Sequence, residues 1–169
     1  MERRERRSLV LNLTRMTTQT ALPSTVLPGS VRLAGIAWSG AVAAGVLESA
    51  IAVTRMLADG VIGPGDWLGL GVHLVVYVVA ALLIVGLLRG SRAARIALTL
   101  LLSVVGLASL VVPTVADVAG GASVAAALGG GGLLGGAFVV VRVAHILLVI
   151  VATAAMYAPT ADAHFRKRA

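Results

Sequence analysis

Polar residues in this chain punctuate long apolar runs rather than alternating with them. Four such runs stand out, at 33–53, 67–88, 96–118 and 136–157. A helix rising ~1.5 Å per residue needs roughly 20 residues to cross ~30 Å of hydrocarbon, and each run meets that length. Within the runs no period of two or 3.6 separates a wet face from a dry one, so soluble strands and amphipathic helices are not expected. The pattern predicts an all-α integral membrane four-helix bundle spanning 31–158.

The segments between the runs carry the turn signals. Gly60, Gly63, Pro64 and Gly65 break the chain after the first run, and Asp66 caps the second. Arg89, Arg92 and Arg95 crowd the turn between the second and third. Residues 119–135 are apolar but glycine-dense, which predicts a loop, an interfacial turn or a re-entrant segment in place of a fifth span. Within the first run, Gly35, Ser39 and Ala43 on one spacing and Gly40 and Ala44 on another offer surfaces for close helix approach. On the third, Thr99, Ser103, Gly106, Leu110, Pro113 and Asp117 form one stripe at spacings of three and four, with Pro113 expected to kink the helix. Trp67 occupies an interfacial position, and His73 shares a face with Tyr77.

Composition agrees with this reading: 59% of residues are hydrophobic, 12% charged and 4% aromatic, and mean hydropathy is +1.00. With no cysteine, disulfides, thiol chemistry, thiolate metal sites and palmitoyl anchoring are excluded. The net charge of +7 follows the ends of the spans and forms no soluble basic face, so it argues for topology and against nucleic acid as a partner. Arg3, Arg4, Arg6, Arg7, Arg15, Arg32, Arg89, Arg92, Arg95, Arg166, Lys167 and Arg168 fall on one side, against Arg55 alone on the other. The positive-inside rule then predicts a multi-pass protein of the inner (plasma) membrane with both termini cytoplasmic. Residues 1–30 read as a basic tail, disordered or lying on anionic lipid as a short amphipathic helix, and 159–169 as a second basic tail. No signal-peptide cleavage site is apparent.

In that topology Glu48, His73, Asp117, Arg142 and His145 converge on one level of the outer leaflet. A charge in lipid costs ~2.5–3.5 kcal/mol on insertion scales, so these side chains should face the interior and find partners, Glu48 with Arg142 foremost. One reading makes the cluster interhelical glue. Another makes it the lining of a water-filled cavity that relays protons or binds a ligand from outside. A metal site is disfavoured, because no helix carries two histidines at ligand spacing and Arg142 would repel a cation. Neither a phosphate loop, a dinucleotide fingerprint nor a nucleophile elbow is present, so no cofactor, no catalytic residue and no enzymatic activity are expected.

The entrance to the first span at Pro28 to Ala34, Trp38 early within it, and the sequence from Pro159 to Arg166 after the fourth resemble small uncharacterised actinobacterial four-span membrane proteins. The resemblance implies an inner-membrane location and no particular activity. Two functional expectations follow from the residues themselves. The first is a non-enzymatic accessory or interaction subunit working through lateral helix contacts with lipid, further copies of itself or a larger membrane protein. The second is a small transporter or proton- or ion-conducting unit that uses the Glu/His/Arg cluster.

Overall fold

The structure, a computed structural model, describes residues 27–129 and 131–166, and every regular element in it is helical. The expectations for residues 1–26 and for Lys167 and Arg168 lie outside the described residues. Among the described residues four helices are long and apolar enough to cross a membrane: α1 (Gly29–Asp59), α2 (Pro64–Leu88), α3 (Arg92–Ala119) and α5 (Gly132–Met156). A single helical turn, α4 (Val124–Ala127), and a last helix, α6 (Pro159–Arg166), are the other helices described.

Local chemistry sets the helix ends. Gly60 closes α1 in the left-handed region at φ 67°, with Val61 N–H donating to the Met56 carbonyl. Pro64 opens α2, and the Asp66 carboxylate accepts the Gly63 N–H at 2.8 Å. Ser91 and Ser123 cap α3 and α4, each accepting a backbone N–H at 3.2 Å. Within 119–135, Ala119 ends α3, Gly132–Gly135 begin α5, and the capped turn α4 lies between them. Arg55 holds this connector by donating to the Gly129 carbonyl at 2.7 Å.

The bundle is organised on α1 and α5, the most extensive helix pair. Along α1 the buried positions Val31, Ala34, Gly35, Ala37, Trp38, Ala41, Gly45 and Glu48 recur at helical spacings and describe one inward stripe. Small residues let the neighbours close on that stripe. A Cβ added at Gly40 would meet Leu148 at 3.2 Å, and one at Gly35 would meet Leu88 at 2.7 Å. The small-residue positions of α1 thus divide: Gly35 and Gly40 serve packing within the chain, while Ser39 and Ala43 face outward.

At the end of the bundle that carries the arginines, the core is dry. Trp38, Leu87, Leu98, Met156 and Phe165 are 1% exposed or less. Phe165 and Ala161 come from α6, so residues 159–166 are an integral part of the bundle. Of the stretch the sequence marks as a basic tail, residues 159–166 form this helix, with Ala161 and Phe165 buried. The spacing of Ala161 and Phe165, four apart, gives α6 an apolar face that the four-span core covers. A bond of 2.8 Å between Ser30 and Thr160 places the start of α1 and α6 at the same end.

Outside this core the helices present large apolar side chains, among them Leu68, Leu74, Leu82, Leu100, Val112 and Leu147. Exposed apolar surface on that scale suits lipid as the surrounding solvent.

Two features open the other half of the bundle. α2 packs on α1 and on the first turns of α3, and has little contact with the rest of α3 or with α5. Within α3, Thr99–Gly106 is π-helical before the α-helix resumes at Leu107 and runs through Pro113. Ser103 in the π segment bonds Thr153 of α5 at 2.8 Å, which ties α3 to the central pair on that side.

Candidate functional site: a polar wall in an open cavity

α1, α2, α3 and α5 surround an open cavity of about 560 Å³. Ala41, Leu102 and Val149 line its deep end, while Met56, Asp66 and Trp67 line the shallow end. Below the deep end lies the dry core around Trp38 and Leu98, neither of which reaches the cavity. The cavity is therefore blind towards the basic end.

Its polar wall is built on the central helix pair. Glu48, 7% exposed, sits on the inward stripe of α1 opposite α5. Its Oε1 lies 2.9 Å from Nδ1 of His145, and its Oε2 lies 3.5 Å from Nε of Arg142. The carboxylate accepts, so Nδ1 of His145 carries a proton and Nε2 is left for a further partner. The Arg142 separation is that of an ion pair longer than a hydrogen bond, and its Nε has no hydrogen-bond partner. The guanidinium also lies over the Phe138 ring, 4.7 Å from its centroid.

Tyr77 of α2 extends the polar wall. Its hydroxyl donates to the Gly45 carbonyl at 2.7 Å and lies 2.8 Å from the Ser49 hydroxyl. Gly45 permits this approach, since a Cβ there would stand 3.0 Å from Tyr77 Cε1 and 3.2 Å from His145 Cε1. The sequence places Tyr77 only on the face of His73. The signal that could have found its partner is the glycine one turn before Glu48, a position open enough for a ring.

His73 lines the cavity, but its Nδ1 donates to the Gly69 carbonyl of its own helix at 2.8 Å, and its contact with a side chain is the ring of Tyr77. Asp117 departs from the expected convergence. It is exposed near the end of α3 and does not line the cavity. The π segment explains this, because i→i+5 turns shift the phase of everything after them. Thr99 reaches Tyr157 just past the end of α5 and Ser103 reaches Thr153 on it, Gly106 and Leu110 line the cavity, and Pro113 and Asp117 are turned outward.

The site thus joins three ionisable side chains from two helices, with a tyrosine and a serine beside them. Most of the remaining wall is apolar, from Val42, Val53, Leu70, Val76, Leu101 and Val105. Among the described residues no group of histidine, aspartate and glutamate side chains could hold a metal ion. Such a surface can seat a molecule with a hydrogen-bonding head and an apolar body. Compared with known proteins, the chain matches no family model, no curated protein and no solved structure.

Proposed function

We propose that this protein is a membrane-embedded binding protein for a small amphipathic molecule, held in the cavity with its polar head at Glu48, His145 and Arg142. The observation that carries the reading is the blind cavity itself, one polar wall facing apolar ones. An open ion path needs polar groups along the whole bundle, and here the polar lining stops above the packed layer of Trp38, Leu87 and Leu98. Transport through this chain would require that layer to part.

With both termini cytoplasmic, the cavity belongs to the outer half of the membrane. The separation of α2 from most of α3 gives it lateral access from lipid. Glu48 and Arg142 neutralise each other, so the head that fits best is neutral and hydrogen-bonding, such as a hydroxyl, received by Nε2 of His145 and the Arg142 N–H groups.

The same gap supports a second reading, in which a helix of another copy or of a larger membrane protein enters between α2 and α3 as a lateral contact. The small residues of α1 lend this less support, since Gly35 and Gly40 already contact Leu88 and Leu148.

The absence of cysteine provides a clean test. Ala52→Cys places a thiol on the cavity wall and Val46→Cys places one on the outer surface. Decanol should protect the first from a thiol reagent saturably and leave the second unchanged. Equal protection of both, or of neither, overturns the binding reading, and crosslinked dimers through Ala52→Cys would favour the second.

A further inference from the structure

A second pocket lies at the opposite end of the bundle, about 380 Å³ in volume, where α3, α5 and α6 meet. Arg92 and Arg95 reach it from the first turn of α3, Arg166 from the end of α6, and Tyr157 from the end of α5. Asp162 is the one carboxylate among the described residues of its lining. Three guanidinium groups face one carboxylate, so the pocket keeps a net positive charge after its internal pairing.

That pairing fixes the pocket's shape and leaves donors over. Arg95 Nη1 donates to Asp162 at 2.6 Å, and its guanidinium lies over the rings of Tyr157 at 4.1 Å and Phe165 at 5.1 Å. Its Nε is buried without a hydrogen-bond partner. Arg92 spends its Nε on the Phe165 carbonyl, which docks the end of α6, and keeps its terminal N–H groups. Arg166 reaches Asp162 only at 3.4 Å and is largely exposed. A planar guanidinium suits phosphoryl oxygens because it can donate two parallel N–H bonds.

The remaining walls, Ile96 and the Tyr157 and Phe165 rings, are apolar. The pocket sits where spans α3 and α5 meet their polar ends, beside exposed apolar side chains including Ile96. From this arrangement we infer that the Arg92, Arg95 and Arg166 pocket is a binding site for a phosphoryl anion. That chemistry could come from an anionic lipid headgroup at the membrane surface or from free phosphate.

The full chain, purified in a nonionic detergent, is titrated calorimetrically with dioctanoyl phosphatidylglycerol, with dioctanoylglycerol and with inorganic phosphate. Saturable binding of phosphatidylglycerol or phosphate is expected, weakened about fivefold in Arg166→Gln. Arg92→Gln added to Arg166→Gln should weaken it further. The exposed Arg166 side chain keeps the single variant informative even if the double one loses the docking of α6. Binding of the phospholipid without phosphate identifies a headgroup. Phosphate binding at the same strength identifies the free ion. Equal binding of dioctanoylglycerol, or anion binding indifferent to both arginine substitutions, overturns the inference.

Discussion

Glu48 and His145, 97 residues apart in sequence, meet at 2.9 Å between the two most closely packed helices of the bundle. Arg142, one turn from His145, approaches the other oxygen of the same carboxylate at 3.5 Å. One carboxylate therefore serves two basic groups on α5, and the three stand together on the wall of the cavity.

Because Glu48 and Arg142 are both mostly buried, removing one leaves the other uncompensated in an apolar setting. Glu48→Gln and Arg142→Gln should each cost about 3 kcal/mol. The double variant should be more stable than the sum of the two losses allows, with a coupling of about 1 kcal/mol or more. Unfolding of the four proteins in a mixed-detergent titration measures the cycle, and additive losses would show that the two charges are independent.

Gly45 is where the polar wall and the backbone come closest. Gly45→Ala should displace the rings of Tyr77 and His145 and cost about 1–3 kcal/mol. Gly69→Ala, with nothing within 4 Å of the added atom, should leave the fold unstrained and serve as the control. Thermal unfolding of the pair checks this, and equal midpoints would refute the close approach.

The docking of α6 should depend on acid. Hydrogen bonding from Arg95 holds the Asp162 carboxyl below its ordinary range, with further help from the charges of Arg95, Arg166 and Arg92. A depressed carboxyl contributes stability above its unfolded value and loses it as pH falls through the folded one. The helix should remain protected from neutral to mildly acidic pH and loosen below the usual carboxylate range. Amide exchange across 159–166, corrected for intrinsic rate, should show this in the native chain and lose its pH dependence in Asp162→Asn.

Much of this architecture is legible in the chain. The four spans follow from run length, and their helical ends differ from the runs by at most six residues, with Gly60, Pro64 and Ser91 setting caps. The approach of Glu48 to Arg142 is legible too, because a lone charge in lipid demands a partner and the two lie at matching depths. Helix rotation is less accessible. The stripe from Thr99 to Asp117 assumes a constant 3.6 residues per turn, and the π segment at Thr99–Gly106 breaks that assumption midway. The role of α6 is hidden for a different reason. Its basic residues read only as a basic tail after the last span, and Phe165 and Ala161 take their places from contacts with distant spans. The cavity arises from how far α2 stands from α3 and α5, a distance set by packing that no periodicity encodes.

Binding in the cavity is tested most directly by electron cryomicroscopy of the chain in lipid nanodiscs. Elongated non-protein density is expected in the cavity between α2 and α3, its polar end within hydrogen-bonding distance of His145 or Arg142 and its body along Val53, Val76 and Val105. A cavity closed by movement of α2 onto α3, or one holding only ordered water, would contradict binding there.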